Sequence, residues 1–268
     1  MRALKRLLGR KGSSVEVSES RGVRTLHLGG EAIQSAMRLS APDRLELAYT
    51  RAMMAFLLFA PAPREILMVG LGGGSIARFV HERLPRTRLP VIELDPKVVA
   101  AARTFFGLPA DDRRLKVIVG DGAGHVLAHR GACDVFLLDA FDDLRSVRSL
   151  ATEAFYAACR DALRPRGVFA VNFIADEPRF GTYLARLERV FDGRVLCLPS
   201  QDRMNMIVLG FRAPLDPIRI APLKRVAREL ERRLGLPFDR FVRDLVAHNP
   251  GDATHLDPGG KRDAGDET

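Results

Sequence analysis

Four short stretches of glycines and acids stand out for what their residue types and spacing could do. The first is Gly70-Leu71-Gly72-Gly73-Gly74-Ser75. Its glycines, Gly70, Gly72, Gly73 and Gly74, permit positive φ and let a ligand come up against bare backbone N–H groups. About 20 residues further on, Glu93 is placed to accept two hydrogen bonds from a ribose diol, while Asp95 ahead of Pro96 reads as a helix cap. In Gly120-Asp121-Gly122 the carboxylate of Asp121 can accept a hydrogen bond from an adenine amino group and Gly122 leaves room for the ring; a plain helix cap is the other reading of Asp121. Asp139-Ala140-Phe141-Asp142-Asp143 puts three carboxylates within five residues. Like charges that close are costly unless a cation or a hydrogen-bonding ligand answers them, and a solvated acidic loop is the bland alternative. The glycine loop by itself suits a nicotinamide dinucleotide, a flavin or a sulfonium nucleoside.

These stretches have to be held by regular elements, and the hydrophobic pattern supplies them. Apolar runs at 66–69, 89–94, 115–119, 135–138, 168–173, 194–198 and 206–211 alternate with amphipathic segments. That pattern predicts βαβ units in a mostly parallel sheet covered by helices on both faces, with ligands at the carboxyl edge. The last two runs are joined by a polar loop too short for a crossover helix, so they are expected to pair antiparallel. Seven strands ending in such a hairpin suit an α/β, Rossmann-like, methyltransferase-type sheet better than a six-stranded dinucleotide fold, and the acidic loop after the fourth run has no place in hydride transfer. Ahead of it, residues 14–38 alternate as a small antiparallel β-meander, and residues 43–60, opened by an Asp43 N-cap and closed by Pro61-Ala62-Pro63, form a linking helix. The expected organisation is a basic lead-in at 1–13, the β-meander and linking helix at 14–60, a nucleoside-binding domain at 61–212, C-terminal helices at 213–248 and a disordered tail at 249–268 rich in Gly, Pro, Asp and Lys.

Composition narrows the class further. At 268 residues and 47% hydrophobic the chain can bury a full core, and no stretch approaches the ~18 apolar residues of a membrane span. Its three cysteines are widely spaced within apolar runs and its six histidines lack metal-ligand spacing, so neither a disulfide framework nor a metal site is expected, and a reducing cytoplasm fits. Net charge is +9, yet only 6 of the 42 basic residues are lysine and aromatics make up 7% with no Trp, which argues against a nucleic-acid face with stacking platforms.

Taken in order, Ile33-Gln34, Tyr49, the glycine loop followed by Arg78, Ile92-Glu93-Leu94-Asp95, Gly120-Asp121-Gly122 and Asp139-Ala140-Phe141-Asp142 resemble the spermidine synthase (polyamine aminopropyltransferase) family across residues 14–212. The resemblance implies that the donor is decarboxylated S-adenosylmethionine, that a small-molecule amine is the acceptor and that methylthioadenosine leaves, with a homodimer as the expected assembly. Glu93 would hold the ribose, Asp121 and Gly122 the adenine, Gln34 the donor's sulfonium side chain, and Asp142 the attacking amine. Asp139 would steady the loop and help bind the donor, and Tyr49 would be catalytic together with Asp142 and Asp139. Three departures touch the polyamine half. Gly73 falls where the family has a loop Asp that grips the donor's amine, Asp143 replaces a Pro, and Leu45 replaces an acid four residues before Tyr49. Gly73 is therefore expected to loosen the choice between decarboxylated and unmodified S-adenosylmethionine. An S-adenosylmethionine-dependent methyltransferase and a non-catalytic nucleoside-binding protein are the alternative readings.

Overall fold

The computed structural model describes residues 15–30, 32–140 and 150–260. Three strands, β1 (Val15–Ser20), β2 (Val23–Leu28) and β3 (Ser35–Arg38), form an antiparallel meander. A helix, α1 (Ala48–Met53), continues as a 3₁₀ turn over Met54–Leu58 and leads into the central sheet. That sheet is built from β4 (Ile66–Val69), β5 (Leu89–Glu93), β6 (Leu115–Val119), β7 (Cys133–Leu138), β8 (Leu163–Ile174), β9 (Val195–Pro199) and β10 (Asn205–Phe211). Their order across the sheet is β6-β5-β4-β7-β8-β10-β9. The first five run parallel and β10 lies antiparallel to both β8 and β9, as the short polar loop between the last two runs predicts.

Why these runs become central strands follows from their burial. In β4, Ile66 and Met68 enter one core and Leu67 and Val69 the other; in β7, Val135 and Leu137 oppose Phe136 and Leu138 in the same way. A continuous apolar run suits a strand covered on both sides. One face is covered by α1 with its 3₁₀ turn and α2 (Ser75–Arg83), joined by α7 (Ile220–Leu234) and α8 (Phe238–His248). On the other lie α4 (Gly122–Leu127), α5 (Glu153–Ala162) and α6 (Phe180–Val190). The meander packs Val15, Val17, Leu26 and Met37 onto Val98, Ala101 and Phe106 of α3 (Pro96–Phe105) and its end. Among the described residues no helix is long and apolar enough to cross a membrane.

Two local expectations are corrected. Asp43 is not an N-cap: its carboxylate pairs with Arg83 of α2, and α1 begins five residues later behind Leu47 without a side-chain cap. Residues 249–260 are not a disordered tail. Strand β11 (Ile218–Arg219) pairs with β12 (His255–Leu256), and Leu256 is buried in the core. The turning point is Asn249. Its Oδ1 accepts from Cys197 N at 2.6 Å, and its Nδ2 donates to the carbonyls of Cys197 at 2.7 Å and Leu245 at 2.8 Å.

Cys197 lies in β9, the edge of the sheet, so the Asn249 amide takes the place of a neighbouring strand for one residue and blunts that edge. Asn249→Ala would remove the two hydrogen bonds this amide makes to the backbone of Cys197 and the one it makes to Leu245. A loss of about 2 kcal/mol in a urea titration is expected, on the scale of a few lost hydrogen bonds; a change under about 0.5 kcal/mol would deny the amide this role.

Candidate active site

The chain leaves β4 for β5 and β6 on one side and returns to β7 on the other, so a crevice opens at the carboxyl ends of β4 and β7. A cavity of about 960 Å³ occupies it, large enough for a nucleoside together with a second small molecule. Gly70 closes its floor. The residue has φ +92°, and a Cβ there would stand 2.1 Å from the Asp139 carbonyl oxygen, so only glycine lets the ends of β4 and β7 approach this closely. Asp139 N donates to Val69 O at 2.9 Å, which sets its side chain beside the glycine loop.

Glu93 ends β5 at the cavity wall. Its Oε2 accepts from Leu71 N and its Oε1 from Asp95 N, each at 2.9 Å, tying the strand tip to the loop and to the start of α3. Burial pushes its carboxyl up from the usual range, and those two N–H donors pull it back. Each oxygen keeps a lone pair for a ligand hydroxyl. Asp95 caps α3 through Lys97 N at 2.8 Å, with Pro96 at the first helical position. Asp121 caps α4, accepting from Ala123 N and Gly124 N at 3.2 Å, and it also lines the cavity. Gly122 lets that helix sit over β4, since a Cβ would lie 2.5 Å from Val69 Cγ1.

At the other end stands Asp139. Its Oδ1 accepts from Asn172 Nδ2 at 3.1 Å, the Tyr49 hydroxyl also hydrogen-bonds to it, and Asn172 Oδ1 in turn accepts from Asn205 Nδ2 at 3.0 Å. The Tyr49 hydroxyl further reaches the backbone oxygen of Gln34 at 3.2 Å, which brings the meander's outgoing loop to the same cavity. Removal from water pushes the Asp139 carboxyl up to about 6, against the hydrogen bonds from Asn172 and Tyr49 that favour its ionised form.

The cavity thus gathers Gln34, Tyr49, Gly70, Gly72, Glu93, Asp121, Gly122 and Asp139. Asp142 lies outside the described residues. Gly73 and Gly74 do not line it. The N–H of Gly73 donates to Ser35 Oγ at 2.7 Å, and a Cβ there would meet Ser35 Cβ at 2.8 Å and Phe106 at 3.1 Å; one on Gly74 would meet Leu108 at 2.9 Å. An aspartate at position 73 would have to displace Ser35 and Phe106, so exchanging this residue alone tests packing before it tests donor choice. Ser35, Asn172, Asn205 and Asp202 were missed by sequence reasoning. The signal for Asn172 was available: one amide inside an otherwise apolar run. Nothing of the kind marks Ser35.

An open mixed sheet with an acid-lined crevice at its switch point defines a Rossmann-like protein with a ligand-sized cavity at the carboxyl edge. Residues 46–182 match the spermine/spermidine synthase domain. The polyamine aminopropyltransferase of Chromobacterium violaceum is 43% identical over 242 residues, which span 90% of this chain and 93% of that one. A probable spermidine synthase from Corynebacterium glutamicum shares the fold, with a TM-score of 0.71 at 21% identity over 94% of this chain and 99% of that chain. Human methyltransferase-like protein 13, solved in complex with SAH, has a TM-score of 0.64 at 27% identity over 70% of this chain and 93% of that chain. The chain belongs to the spermine/spermidine synthase family, and it is an enzyme of the transferase class.

The acidity of Asp139 has a cost that can be measured. Its carboxyl ionises less readily folded than unfolded, so the penalty is absent below about pH 4 and complete above the folded value of about 6. Asp139→Asn should therefore raise stability at pH 8 by about 1–2 kcal/mol, with the gain fading toward pH 4. A variant less stable than its parent at pH 8 would show that the charge is well compensated.

Proposed function

We propose that the protein transfers an aminopropyl group from decarboxylated S-adenosylmethionine to a diamine or polyamine and releases methylthioadenosine. The observation that carries this reading is electrostatic. The described lining of the cavity holds five carboxylates (Glu93, Asp95, Asp121, Asp139 and Asp202) and no Lys or Arg, in a chain of net charge +9. Such a cavity is hostile to phosphate-bearing ligands and suited to cationic ones, and both a sulfonium donor and an amine acceptor are cationic in water. Family membership supports the same reaction.

In the transfer, the lone pair of a neutral amine attacks the methylene carbon bound to sulfur. The C–N bond forms as the C–S bond breaks, the bonding pair returns to sulfur, and the thioether leaves uncharged. Positive charge therefore travels from sulfur to nitrogen, and a carboxylate nearer the nitrogen stabilises the transition state more than the ground state. We assign this role to Asp139, which takes from the acceptor ammonium the proton that must leave before its lone pair can attack and passes it to solvent, with Tyr49 and Asn172 fixing its orientation. Asp142 is assigned to the same amine. Glu93 takes the ribose diol, Asp121 and Gly122 the adenine edge, and Gln34 the donor's side chain. The donor is a substrate, and no step requires a resident cofactor.

Incubation with decarboxylated S-adenosylmethionine and a diamine should yield methylthioadenosine and the extended amine in equal amounts. Formation of S-adenosylhomocysteine from unmodified donor, with no amine extension, would replace this reading by methyl transfer. Glu93→Ala should weaken methylthioadenosine binding by about 1.5–3 kcal/mol, the worth of hydrogen bonds to a charged group; unchanged affinity by calorimetry would remove the ribose assignment. Because ionised Asp139 is the active form, kcat/KM should rise with pH through about 6. Asn172→Ala, which deletes a hydrogen bond favouring the ionised carboxyl, should move that limb to higher pH, and a limb that stays in place would separate Asn172 from the chemistry.

A further inference from the structure

The glycine loop spends most of its N–H groups inside the protein. Of the five from Gly70 to Gly74, four are taken: Gly70 N donates to Ile92 O, Leu71 N to Glu93 Oε2 and Gly74 N to Leu71 O, each at 2.9 Å, and Gly73 N donates to Ser35 Oγ at 2.7 Å. Ile92 and Glu93 belong to β5, so the first half of the loop is held from within the central sheet. Of the four acceptors, only the Ser35 hydroxyl comes from outside the loop and β5; it stands on the first residue of β3, in the meander. Ser35 is 5% exposed and does not line the cavity, so it can act on a ligand only through what it holds.

It holds two lining residues. A Cβ on Gly72 would stand 2.8 Å from Ser35 Oγ, so the hydroxyl is packed against Gly72, which lines the cavity. The residue before Ser35 is Gln34, also in the lining; its N–H donates to Leu26 O at 2.9 Å and its carbonyl accepts from the Tyr49 hydroxyl at 3.2 Å. The Gln34 backbone is thereby tied to β2 and to α1 through its own polar groups, and to the glycine loop through its neighbour. The two halves of the loop answer to different parts of the fold. Gly70 and Leu71 follow β5, beside the acid assigned to the ribose, whereas Gly72 and Gly73 follow the meander, beside the amide assigned to the donor's side chain.

We propose that Ser35 is a positioning residue for the sulfonium donor: its hydroxyl locks Gly72 and Gly73 to the segment that carries Gln34, so that the wall meeting the donor's side chain is set as one piece while the nucleoside wall is set by β5. This deepens the aminopropyl-transfer reading and rests on it. Ser35→Ala removes the acceptor and leaves the Gly73 N–H without its partner. The bonds of Gly70 to Ile92 and of Leu71 to Glu93 do not involve Ser35, so the ribose side keeps its shape. Ser35→Cys fills the space of the hydroxyl with a weaker acceptor.

The test is calorimetry on the full chain with decarboxylated S-adenosylmethionine and, separately, with methylthioadenosine, which lacks the side chain, both in the absence of an amine; amide hydrogen exchange is followed at Gly73 in the same proteins. Ser35→Ala should weaken the donor roughly tenfold, the scale of one hydrogen bond, and methylthioadenosine by less than about threefold, while the Gly73 N–H exchanges faster. Ser35→Cys should fall between Ser35→Ala and the unsubstituted protein in both measurements. A role confined to stability would weaken the two ligands alike or neither, and either result would overturn the proposal, as would unchanged protection of Gly73 in Ser35→Ala. Binding is read without turnover, so the failures separate: an unsubstituted protein that binds the donor, with the same ratio of affinities in Ser35→Ala, removes the role of Ser35 alone, whereas one that does not bind the donor removes the transfer reading and this proposal with it.

Discussion

Two parallel strands end against each other at Gly70 and Asp139, and the rest of the site is arranged around that contact. With no side chain on Gly70, the turn out of β4 lies directly on the Asp139 backbone, and the carboxylate is delivered to the floor of the crevice. Leu71, one residue further, donates its N–H to Glu93, so the same turn fixes the acid at the tip of β5. Val69, one residue back, is overlain by Gly122, which lets α4 bring Asp121 to the rim. One backbone approach therefore places three carboxylates contributed by three different strand ends. A Cβ at position 70 would shift all three together.

Holding acids there works against stability, and the surroundings only partly offset it. Glu93 and Asp139 are both less acidic in place than in water because burial outweighs the donors aimed at them. The incomplete compensation fits a cavity meant for cations, since a ligand bringing positive charge supplies what the protein withholds. The contrast with the outer ion pairs is instructive. Asp43 with Arg83 and Glu153 with Arg189 are answered within the chain and stand ready for nothing else.

The parts of this fold that were legible in the sequence are those where one strong requirement acts. Strands covered on both faces need unbroken apolar runs, and β4 and the end of β7 show them. Glu93 and Asp121 stand at strand tips, where the chain must turn and a polar side chain is free to serve a ligand. Legibility fails where two partners far apart in sequence decide the outcome. Asp43 has the composition of an N-cap, but a guanidinium 40 residues away competes for it and wins. Residues 249–260 look like a tail by composition, yet Asn249 and Leu256 attach them through β9, β11 and the core. Gly73 reads as a departure in the ligand site because the resembled family has an Asp at that position of the loop. It faces Ser35 and Phe106, from a strand and a helix end that no local pattern links to it.

The distribution of charge follows from the same logic. A protein of net charge +9 repels cations at long range, so the capture of a sulfonium or an ammonium depends on fields that outweigh the total locally. At physiological salt the Debye length is about 8 Å, so exposed basic residues that do not line the crevice, such as Arg225, Arg228 and Arg232 of α7, are screened beyond that range. Inside the cavity the carboxylates act with little water between them and a ligand, and there the local sign prevails. Net charge thus bears on solubility and on distant partners, whereas the side chains lining the crevice determine what is bound within it.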